Sequence, residues 1–248
     1  MGIGDDLMAC GEARHMHAKT GQPVFIRRRD GKPYWSPLWD GVPFLLRRHA
    51  PGCNIIVNGG GVRGYIDSKA ADRWTWKRYH ARPALIVFKP DEIEFAAKHA
   101  GRVMIEPNGK NVGHANKVYP RWTEVVRAMP DTQFVQCGFG DTRWITEPNV
   151  RHVVTSTFRQ AAAVLAVSRA FAGNEGGLMH AAAAVNVPGV ITFGGFIGPE
   201  ATGYKMHRNL FTGTGLGCGM RTNCAHCRKA MAHITPDEIV EHLRALLA

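Results

Sequence analysis

Residues 173–180 read Gly-Asn-Glu-Gly-Gly-Leu-Met-His, and after several alanines the apolar run Gly-Val-Ile-Thr-Phe follows at 189–193. This order predicts a strand end, a glycine turn, a helix start and a further strand. Backbone amides at a helix start have no partner within the helix, and glycines let a ligand approach them closely. We therefore expect the turn to bind phosphate or sugar oxygens, with simple packing as the alternative. The residues concerned are Glu175, Gly176, Gly177 and His180.

Short apolar runs alternate with helical patterns over most of the chain, which predicts βαβ units around a parallel sheet. Expected strands cover residues 24–26, 55–57, 85–88, 103–106, 133–137, 169–172 and 189–193. Expected helices cover 6–19, 91–99, 121–128, 158–167, 177–185 and 236–247. Residues 30–82 are rich in Gly, Pro, Trp and Arg, so we expect long loops with few strands there. A boundary near residue 100 divides the chain into an N-terminal domain, 1–100, and a C-terminal domain, 101–248.

The composition limits the class of protein. With 248 residues and 45% hydrophobic content, the chain is long enough to bury a substantial core. It has no apolar run of roughly 18 residues and begins with an acidic segment, so we expect no transmembrane helix and a cytoplasmic location. The net charge of +11 favours anionic partners, namely nucleotide-sugar phosphates, lipid headgroups or nucleic acid. The basic segment 69–82, interleaved with aromatic residues, suits either nucleic-acid binding or a solvated loop.

Polar residues near the expected helix and strand ends are further candidates. Asp5 follows Gly4 at the start of the first helix, where it is either a helix cap or a base that faces a cleft. Asn108 and Lys117 follow the strand at 103–106. A loop that leaves the carboxyl end of such a strand is where an open α/β sheet binds phosphate. Lys117 would neutralise a diphosphate there, or it is an ordinary solvated lysine.

Cysteines cluster near the C-terminus. Cys218, Cys224 and Cys227 lie close in sequence, with His226 among them and His233 shortly after. Six cysteines in a chain expected in the cytoplasm argue against a disulfide framework. Thiolate and imidazole groups are suitable ligands for zinc or iron, and buried free thiols are the alternative.

Taken together, these motifs resemble glycosyltransferase family 9, the heptosyltransferase family. The resemblance is carried by Gly4-Asp5 before a helix, Asn116-Lys117-Val118-Tyr119-Pro120 after a central strand, and residues 173–183. The tail, with Phe193-Gly194-Gly195, Thr202-Gly203-Tyr204 and the cysteines, follows the family's order. The resemblance implies an α/β, GT-B-like fold in which two Rossmann-like parallel-sheet domains face a cleft, the N-terminal one being reduced.

The resemblance also implies an activity. The family transfers a sugar from a nucleotide-diphosphate donor, here favouring an ADP-sugar, to an acceptor hydroxyl with inversion and without a catalytic metal. Its general base falls on Asp5, its phosphate-binding lysine on Lys117 and its donor-side histidine on His180. Glu175-Gly176 stands where the family has Asp-Thr, so the donor sugar, a heptose or another hexose-like sugar, is left open.

The implied role is bacterial surface glycan synthesis at the inner face of the membrane, with an anionic acceptor such as the lipopolysaccharide core. Some autotransporter heptosyltransferases of the family bind iron through cysteines, which favours a structural zinc or iron at Cys218, Cys224 and Cys227. A nucleic-acid or protein acceptor is one alternative function. A non-catalytic module that binds a nucleotide sugar or nucleic acid is the other.

Overall fold

The computed structural model describes residues 2–58, 63–109 and 116–248. The glycine run at 59–61, part of the predicted loop region, lies outside the described residues. The N-terminal half contains α1 (Ile3–Thr20), β1 (Val24–Arg27), β2 (Leu45–Leu46), β3 (Asn54–Val57), β4 (Ile66–Lys69), β5 (Trp74–Trp76) and α2 (Pro90–Ala97). A short 3-10 turn, Pro37–Trp39, lies between β1 and β2. Strands β2, β1 and β3 form a parallel sheet in that order, and β4 pairs with β5 as an antiparallel hairpin.

The C-terminal half is a larger parallel sheet covered by helices. Its strands are β6 (Val103–Glu106), β7 (Phe134–Gly138), β8 (Val150–Val154), β9 (Ala170–Asn174), β10 (Gly189–Gly194) and β11 (Arg208–Phe211). Its helices are α3 (Trp122–Arg127), α4 (Phe158–Ala166), α5 (Gly177–Ala184), α6 (Pro199–Thr202), α7 (Ala225–His233) and α8 (Pro236–Leu247). In the described part of the chain, no helix is long and apolar enough to cross a bilayer.

The strand order of the larger sheet determines where a ligand can bind. The order is β11-β10-β9-β6-β7-β8, with every neighbouring pair parallel. The chain runs outward from β6 to β8, crosses back to β9 and runs outward again to β11. This is a doubly wound sheet whose direction reverses between β6 and β9, and ligands bind beyond the carboxyl ends of the strands at such a switch point.

Side-chain alternation along the strands builds a core on each face of the larger sheet. Met104 and Val135 belong to the buried cluster on one face, whereas Val103, Ile105 and Phe134 belong to the cluster on the other. Coverage on both faces explains why the strands read as short continuous apolar runs.

Helix α1 from the N-terminal half packs directly against α5. A Cβ atom on Gly4 would lie 2.7 Å from Cδ2 of His180, so only glycine permits this approach. Alanines make up the second half of α5, and their small side chains allow close packing of the helix on its neighbours. As a result, the first turn of α1 lies beside the N-terminus of α5, at the carboxyl edge of the larger sheet.

Several predicted elements differ from the structure. The strand expected at 85–88 is wrong, because this extended segment pairs with side chains rather than with another strand. The carbonyl of Leu85 accepts from the Cys10 thiol, and that of Val87 accepts from the Arg159 guanidinium at 2.5 Å. The sequence also missed β8, β11 and α7, whose residues mix apolar with charged or cysteine and histidine side chains. The domain boundary near residue 100 falls between α2 and β6 and stays a prediction.

Candidate functional site

A cavity of about 810 Å³ opens at the carboxyl edge of the larger sheet. The ends of β6, β7 and β9, the starts of α4 and α5, the start of α1 and the β4–β5 hairpin enclose it. The predicted ligand-binding and catalytic residues all line this cavity: Asp5, Asn108, Lys117, Glu175, Gly176, Gly177 and His180. Their convergence agrees with the switch point between β6 and β9.

Asn174, at the end of β9, holds the switch point together. It is 4% exposed, and its carboxamide oxygen accepts hydrogen bonds from the Tyr119 amide at 2.8 Å and the Thr192 hydroxyl at 3.1 Å. Its amide nitrogen donates to the carbonyls of Glu106 at 3.2 Å and Asn108 at 3.4 Å. The sequence prediction missed this role, although an asparagine between a strand and a glycine turn was a usable signal.

Lys117 and Glu175 form an ion pair across the switch point. The Lys117 ammonium donates to one carboxylate oxygen of Glu175, and the Thr202 hydroxyl donates to the other at 3.1 Å. Burial alone would raise the pKa of Glu175, but the positive charge of Lys117 and these hydrogen bonds hold it below its usual value. Glu175 is therefore an anion, and an incoming phosphate must compete with it for Lys117.

Helix N-termini add positive potential to the cavity. Helix α5 begins at Gly177 and α4 at Phe158, and both first turns belong to the cavity lining. The amides of a first helical turn have no partner within the helix, and the helix dipole places partial positive charge there. These amides and Lys117 therefore make the carboxyl edge suitable for an anionic ligand.

His180 is a residue of α5 that lines the cavity and lies against Gly4 of α1. It is 2% exposed, and its Nδ1 atom lies 2.9 Å from the Tyr204 hydroxyl. Burial lowers the pKa of His180 to about 4, although the nearby carboxylates of Glu175 and Asp5 oppose the shift. The imidazole is thus neutral near pH 7, so His180 brings no charge to the cavity.

Asp5 both caps α1 and faces the cavity. The sequence left open whether it is a helix cap or faces a cleft, and in the structure it does both. Its carboxylate accepts the Gly2 amide at 3.1 Å and the Tyr65 hydroxyl at 2.8 Å. It also pairs with Nε of Arg63 at 2.6 Å. Arg63 and Tyr65 were missed, because nothing in the loop-like segment 30–82 indicated which of its residues approach α1.

Glu106 is a further cavity residue that the prediction did not include. It ends β6, and its carboxylate accepts the Asn108 amide at 2.7 Å. Burial raises the pKa of Glu106 to about 7, and this hydrogen bond opposes the rise only partly. The sequence signal that could have identified Glu106 is an acidic residue at the end of an apolar strand.

The cysteine cluster lies apart from the cavity lining. The ligand atoms of Cys218, Cys224, His226 and Cys227 lie within 4.8 Å of one another. The Sγ atom of Cys218 is 4.0 Å from that of Cys224 and 2.9 Å from that of Cys227. Thiolates around one tetrahedral zinc are separated by about 3.8 Å, given Zn–S bonds of about 2.3 Å. The donor set fits one zinc or iron ion, and among the described residues it contains His226 rather than His233.

Asn116 connects the cysteine cluster to the cavity. Its carboxamide accepts the Cys224 amide at 3.1 Å and donates to the carbonyls of Met220 at 2.9 Å and Thr222 at 2.8 Å. Lys117 is the next residue along the chain. The cysteine-bearing loop therefore fixes the backbone from which Lys117 extends.

Comparison with known proteins supports the fold. No protein-family model and no curated protein sequence matches the chain. The structure of ADP-heptose lipopolysaccharide heptosyltransferase II from E. coli is similar over 66% of this chain and 53% of its own, with 21% identity and a TM-score of 0.50. A glycosyl transferase family 9 structure from Veillonella parvula gives the same coverage and TM-score with 15% identity.

The chain spans about half the length of these solved structures. The likeness is one of fold, and it confirms the predicted α/β, GT-B-like architecture and the resemblance to heptosyltransferases at that level.

Proposed function

We propose that the protein is an inverting glycosyltransferase of family 9 that uses a nucleotide-diphosphate sugar. The observation that carries this proposal is the convergence of Asp5, Lys117 and the α5 N-terminus on one cavity at the switch point of a doubly wound sheet. A carboxylate facing a cationic, amide-rich edge is what a displacement with a diphosphate leaving group requires. The fold shared with heptosyltransferases supports the same function.

The proposed reaction is a single displacement. The acceptor hydroxyl loses its proton to Asp5 while its oxygen attacks the anomeric carbon from the side opposite the leaving group. The bond between that carbon and the diphosphate oxygen breaks, and the diphosphate leaves with the electron pair. Lys117 and the amides of Gly176 and Gly177 stabilise the developing negative charge.

Glu175 has a separate role in the proposed reaction. In the unliganded site it holds Lys117 at the cavity wall. When the diphosphate takes over the ammonium group, the freed carboxylate oxygen can accept a hydrogen bond from a donor hydroxyl. Asn108, whose backbone is fixed by Asn174, lies beside this position on the β6 side. The neutral His180 supports the helix start and transfers no proton.

The proposed partners follow from charge and resemblance. We favour an ADP-sugar carrying a heptose or another hexose-like sugar, bound mainly by residues 101–248. Residues 1–100 would bind an anionic acceptor such as the lipopolysaccharide core, in keeping with the net charge of +11. The corresponding role is bacterial surface glycan synthesis in the cytoplasm, at the inner face of the membrane.

A structural metal ion is part of the proposal. Cys218, Cys224, His226 and Cys227 would bind zinc or iron and so rigidify the loop that Asn116 fastens beside Lys117. The ion would take no part in sugar transfer, since its ligands lie outside the cavity lining. Elemental analysis of the purified protein tests this, and zinc and iron both far below one ion per chain would contradict it.

Nucleotide binding is the direct test of the function. ADP or an ADP-sugar at a concentration well above its dissociation constant should raise the melting temperature, because it binds only the folded state. Incubation with ADP-heptose should then release ADP when an acceptor is present. If no nucleotide stabilises the protein, the glycosyltransferase proposal fails.

Transfer to nucleic acid is the second candidate, and a specific surface favours it. The Trp74 ring faces the Lys69 ammonium at 5.5 Å and the Arg221 guanidinium at 5.1 Å, beside the cavity. Aromatic and cationic groups in this arrangement suit stacked bases and phosphates. Binding to single-stranded DNA or RNA that weakens steeply with salt would favour this acceptor. A protein acceptor would instead be identified by transfer of labelled sugar to protein.

A non-catalytic module is the remaining alternative. It is favoured by the contacts of Asp5, whose carboxylate meets the Gly2 amide, the Tyr65 hydroxyl and the Arg63 guanidinium in the unliganded site. Measured turnover separates the alternatives. Nucleotide binding without sugar transfer or donor hydrolysis would favour the module.

A further inference from the structure

Phe139 is an exposed aromatic residue at the rim of the cavity. It follows the end of β7, lines the cavity and is 74% exposed. Exposing a whole phenyl ring to water forgoes the favourable burial that such a side chain can provide. An exposed ring at the mouth of a polar cavity therefore points to a flat apolar partner.

The turn that carries Phe139 is rigid. The Thr142 side-chain oxygen accepts the Phe139 amide at 2.7 Å, and its hydroxyl donates to the Phe139 carbonyl at 2.9 Å. The preceding carbonyl, of Gly138, accepts the Thr155 amide at 2.9 Å. A Cβ atom on Gly138 would lie 2.4 Å from the Trp144 ring, so this turn closes tightly on its own side chains. The backbone from which the ring extends is therefore held in place before any ligand arrives.

The place of Phe139 relative to the phosphate site fits a nucleotide. Strand β7 neighbours β6, and β6 neighbours β9, whose end carries Glu175 and the α5 N-terminus. Adjacent strands are about 4.8 Å apart, which separates the ends of β7 and β9 by roughly 10 Å. A ribose and its first phosphate can span this distance. On the other side of β7, after the end of β8, the cavity lining also contains Thr155 and Ser156, whose hydroxyl groups can contact the edge of a base.

We propose that Phe139 is the stacking platform for the nucleobase of the donor. This inference rests on the proposed function, because it assumes that a nucleoside diphosphate occupies the cavity. Stacking on an aromatic face tolerates any base, so Phe139 provides affinity, and polar groups near it select among bases.

Calorimetric titration of the full-length protein with ADP and with inorganic pyrophosphate tests the inference. Replacing Phe139 with Ala should weaken ADP binding about 10-fold and leave pyrophosphate binding unchanged, because only ADP carries a base. Phe139→Trp should restore ADP binding. Val154→Ala is the matched control, since Val154 is 73% exposed at the end of β8 but lies outside the cavity lining. It should bind ADP as the parent protein does.

The possible outcomes separate this inference from the proposed function. If the parent protein binds ADP and Phe139→Ala binds it equally well, the stacking role is wrong and the glycosyltransferase proposal is unaffected. If Phe139→Ala loses ADP and pyrophosphate to the same extent, the ring supports the site rather than the base, and the stacking role is again wrong. If the parent protein binds no nucleoside diphosphate, both proposals fail together.

Discussion

The Lys117–Glu175 and Asp5–Arg63 pairs face the same cavity but are built differently. Glu175 follows the end of β9, and Lys117 lies in the turn before α3, where the Tyr119 amide donates to buried Asn174. Asp5 lies on α1, and its partners Arg63 and Tyr65 come from an irregular segment about sixty residues away in sequence. The first pair lies where buried Asn174 fixes the backbone at the sheet edge, whereas the second depends on a partner from an irregular segment.

This difference suggests different tasks. A pair fixed by the sheet can hold a diphosphate in one place, so we assign donor binding to it. In the other pair, Oδ2 of Asp5 accepts the Gly2 amide and faces Arg63, whereas Oδ1 accepts only the Tyr65 hydroxyl and keeps a lone pair for an acceptor hydroxyl. Departure of one of these groups would give the acceptor more room beside the carboxylate. Arg63, a long side chain, is better suited to leave than Tyr65, whose ring stacks on Trp76 at 6.0 Å.

The largest expected effect comes from the base. Replacing Asp5 with Asn should lower kcat by about 10²–10⁴-fold, because a positioned general base contributes that much. Donor affinity should stay close to that of the parent protein, since the proposed phosphate ligands are Lys117 and the α5 amides rather than Asp5. Steady-state kinetics together with ADP calorimetry measure both quantities.

The neighbouring carboxylate provides the control for this substitution. Asp6 accepts the Tyr34 hydroxyl at 3.0 Å and lies outside the cavity lining. Asp6→Asn should therefore keep most of the activity. Equal losses of kcat in Asp5→Asn and Asp6→Asn would remove Asp5 from the catalytic role.

The second effect concerns the donor pair. Lys117→Met should weaken ADP binding by roughly 100-fold, in keeping with about 2–5 kcal/mol for truncating one member of a buried charge pair. It should also lower the melting temperature, because Glu175 is left buried without a partner. The double variant Lys117→Met/Glu175→Gln removes both charges. It should regain stability but not affinity, and recovery of ADP binding in it would show that Lys117 does not bind phosphate.

The carboxyl edge of the larger sheet, our proposed donor side, was predictable from sequence for a physical reason. Alternating strand and helix patterns specify a parallel sheet, and the carboxyl ends of parallel strands meet at one edge. Residues that follow strands, such as Asn108 and Glu175, must therefore converge even without knowledge of the tertiary contacts. The order in which β6 and β9 become neighbours was not predicted, because it is set by packing across the whole sheet.

The surroundings of Asp5, our proposed acceptor side, were not predictable in the same way. Arg63 and Tyr65 occur in a segment without a regular hydrophobic period, so no element placed them relative to α1. The extended segment 85–88 looked like a strand because its apolar residues match the strand pattern. Its carbonyls are bound by side chains instead, including that of buried Arg159, which also pairs with Glu92 at 2.6 Å.

A smaller effect tests how Asp5 is oriented. Tyr65→Phe removes one hydrogen bond to the Asp5 carboxylate, and a bond of this kind is worth about 1–1.5 kcal/mol. We expect kcat to fall by roughly 5- to 10-fold with an unchanged KM for the donor. Tyr34→Phe is the matched control, because that hydroxyl binds Asp6 instead. If both variants lose activity equally, the tyrosines act only through stability.

The smallest expected effect is a pH dependence of ADP binding caused by Glu106, which lies at the end of β6. Burial raises the pKa of Glu106 to about 7, so its carboxyl is neutral below that pH and charged above it. A charged Glu106 repels a diphosphate, and ADP affinity relative to Glu106→Gln should therefore fall several-fold between about pH 6 and 8. The ratio of the two affinities is the appropriate measure, because a terminal phosphate also titrates near about pH 6.

The folding stability, like the ADP affinity, should fall as the pH rises. An acid whose pKa is raised in the folded state opposes folding once it ionises, so the parent protein loses stability relative to Glu106→Gln as the pH rises from about 4.5 to about 7. Thermal melts of both proteins across this range measure the difference. The two melting temperatures could show the same pH dependence while the two ADP affinities do not. In that case Glu106 interacts with the ligand, but its burial is too slight to affect folding. If neither the melting temperature nor the ADP affinity differs between the two proteins in its pH dependence, Glu106 keeps one protonation state throughout this range. The charges that a ligand meets in the cavity would then be those of the Lys117–Glu175 and Asp5–Arg63 pairs.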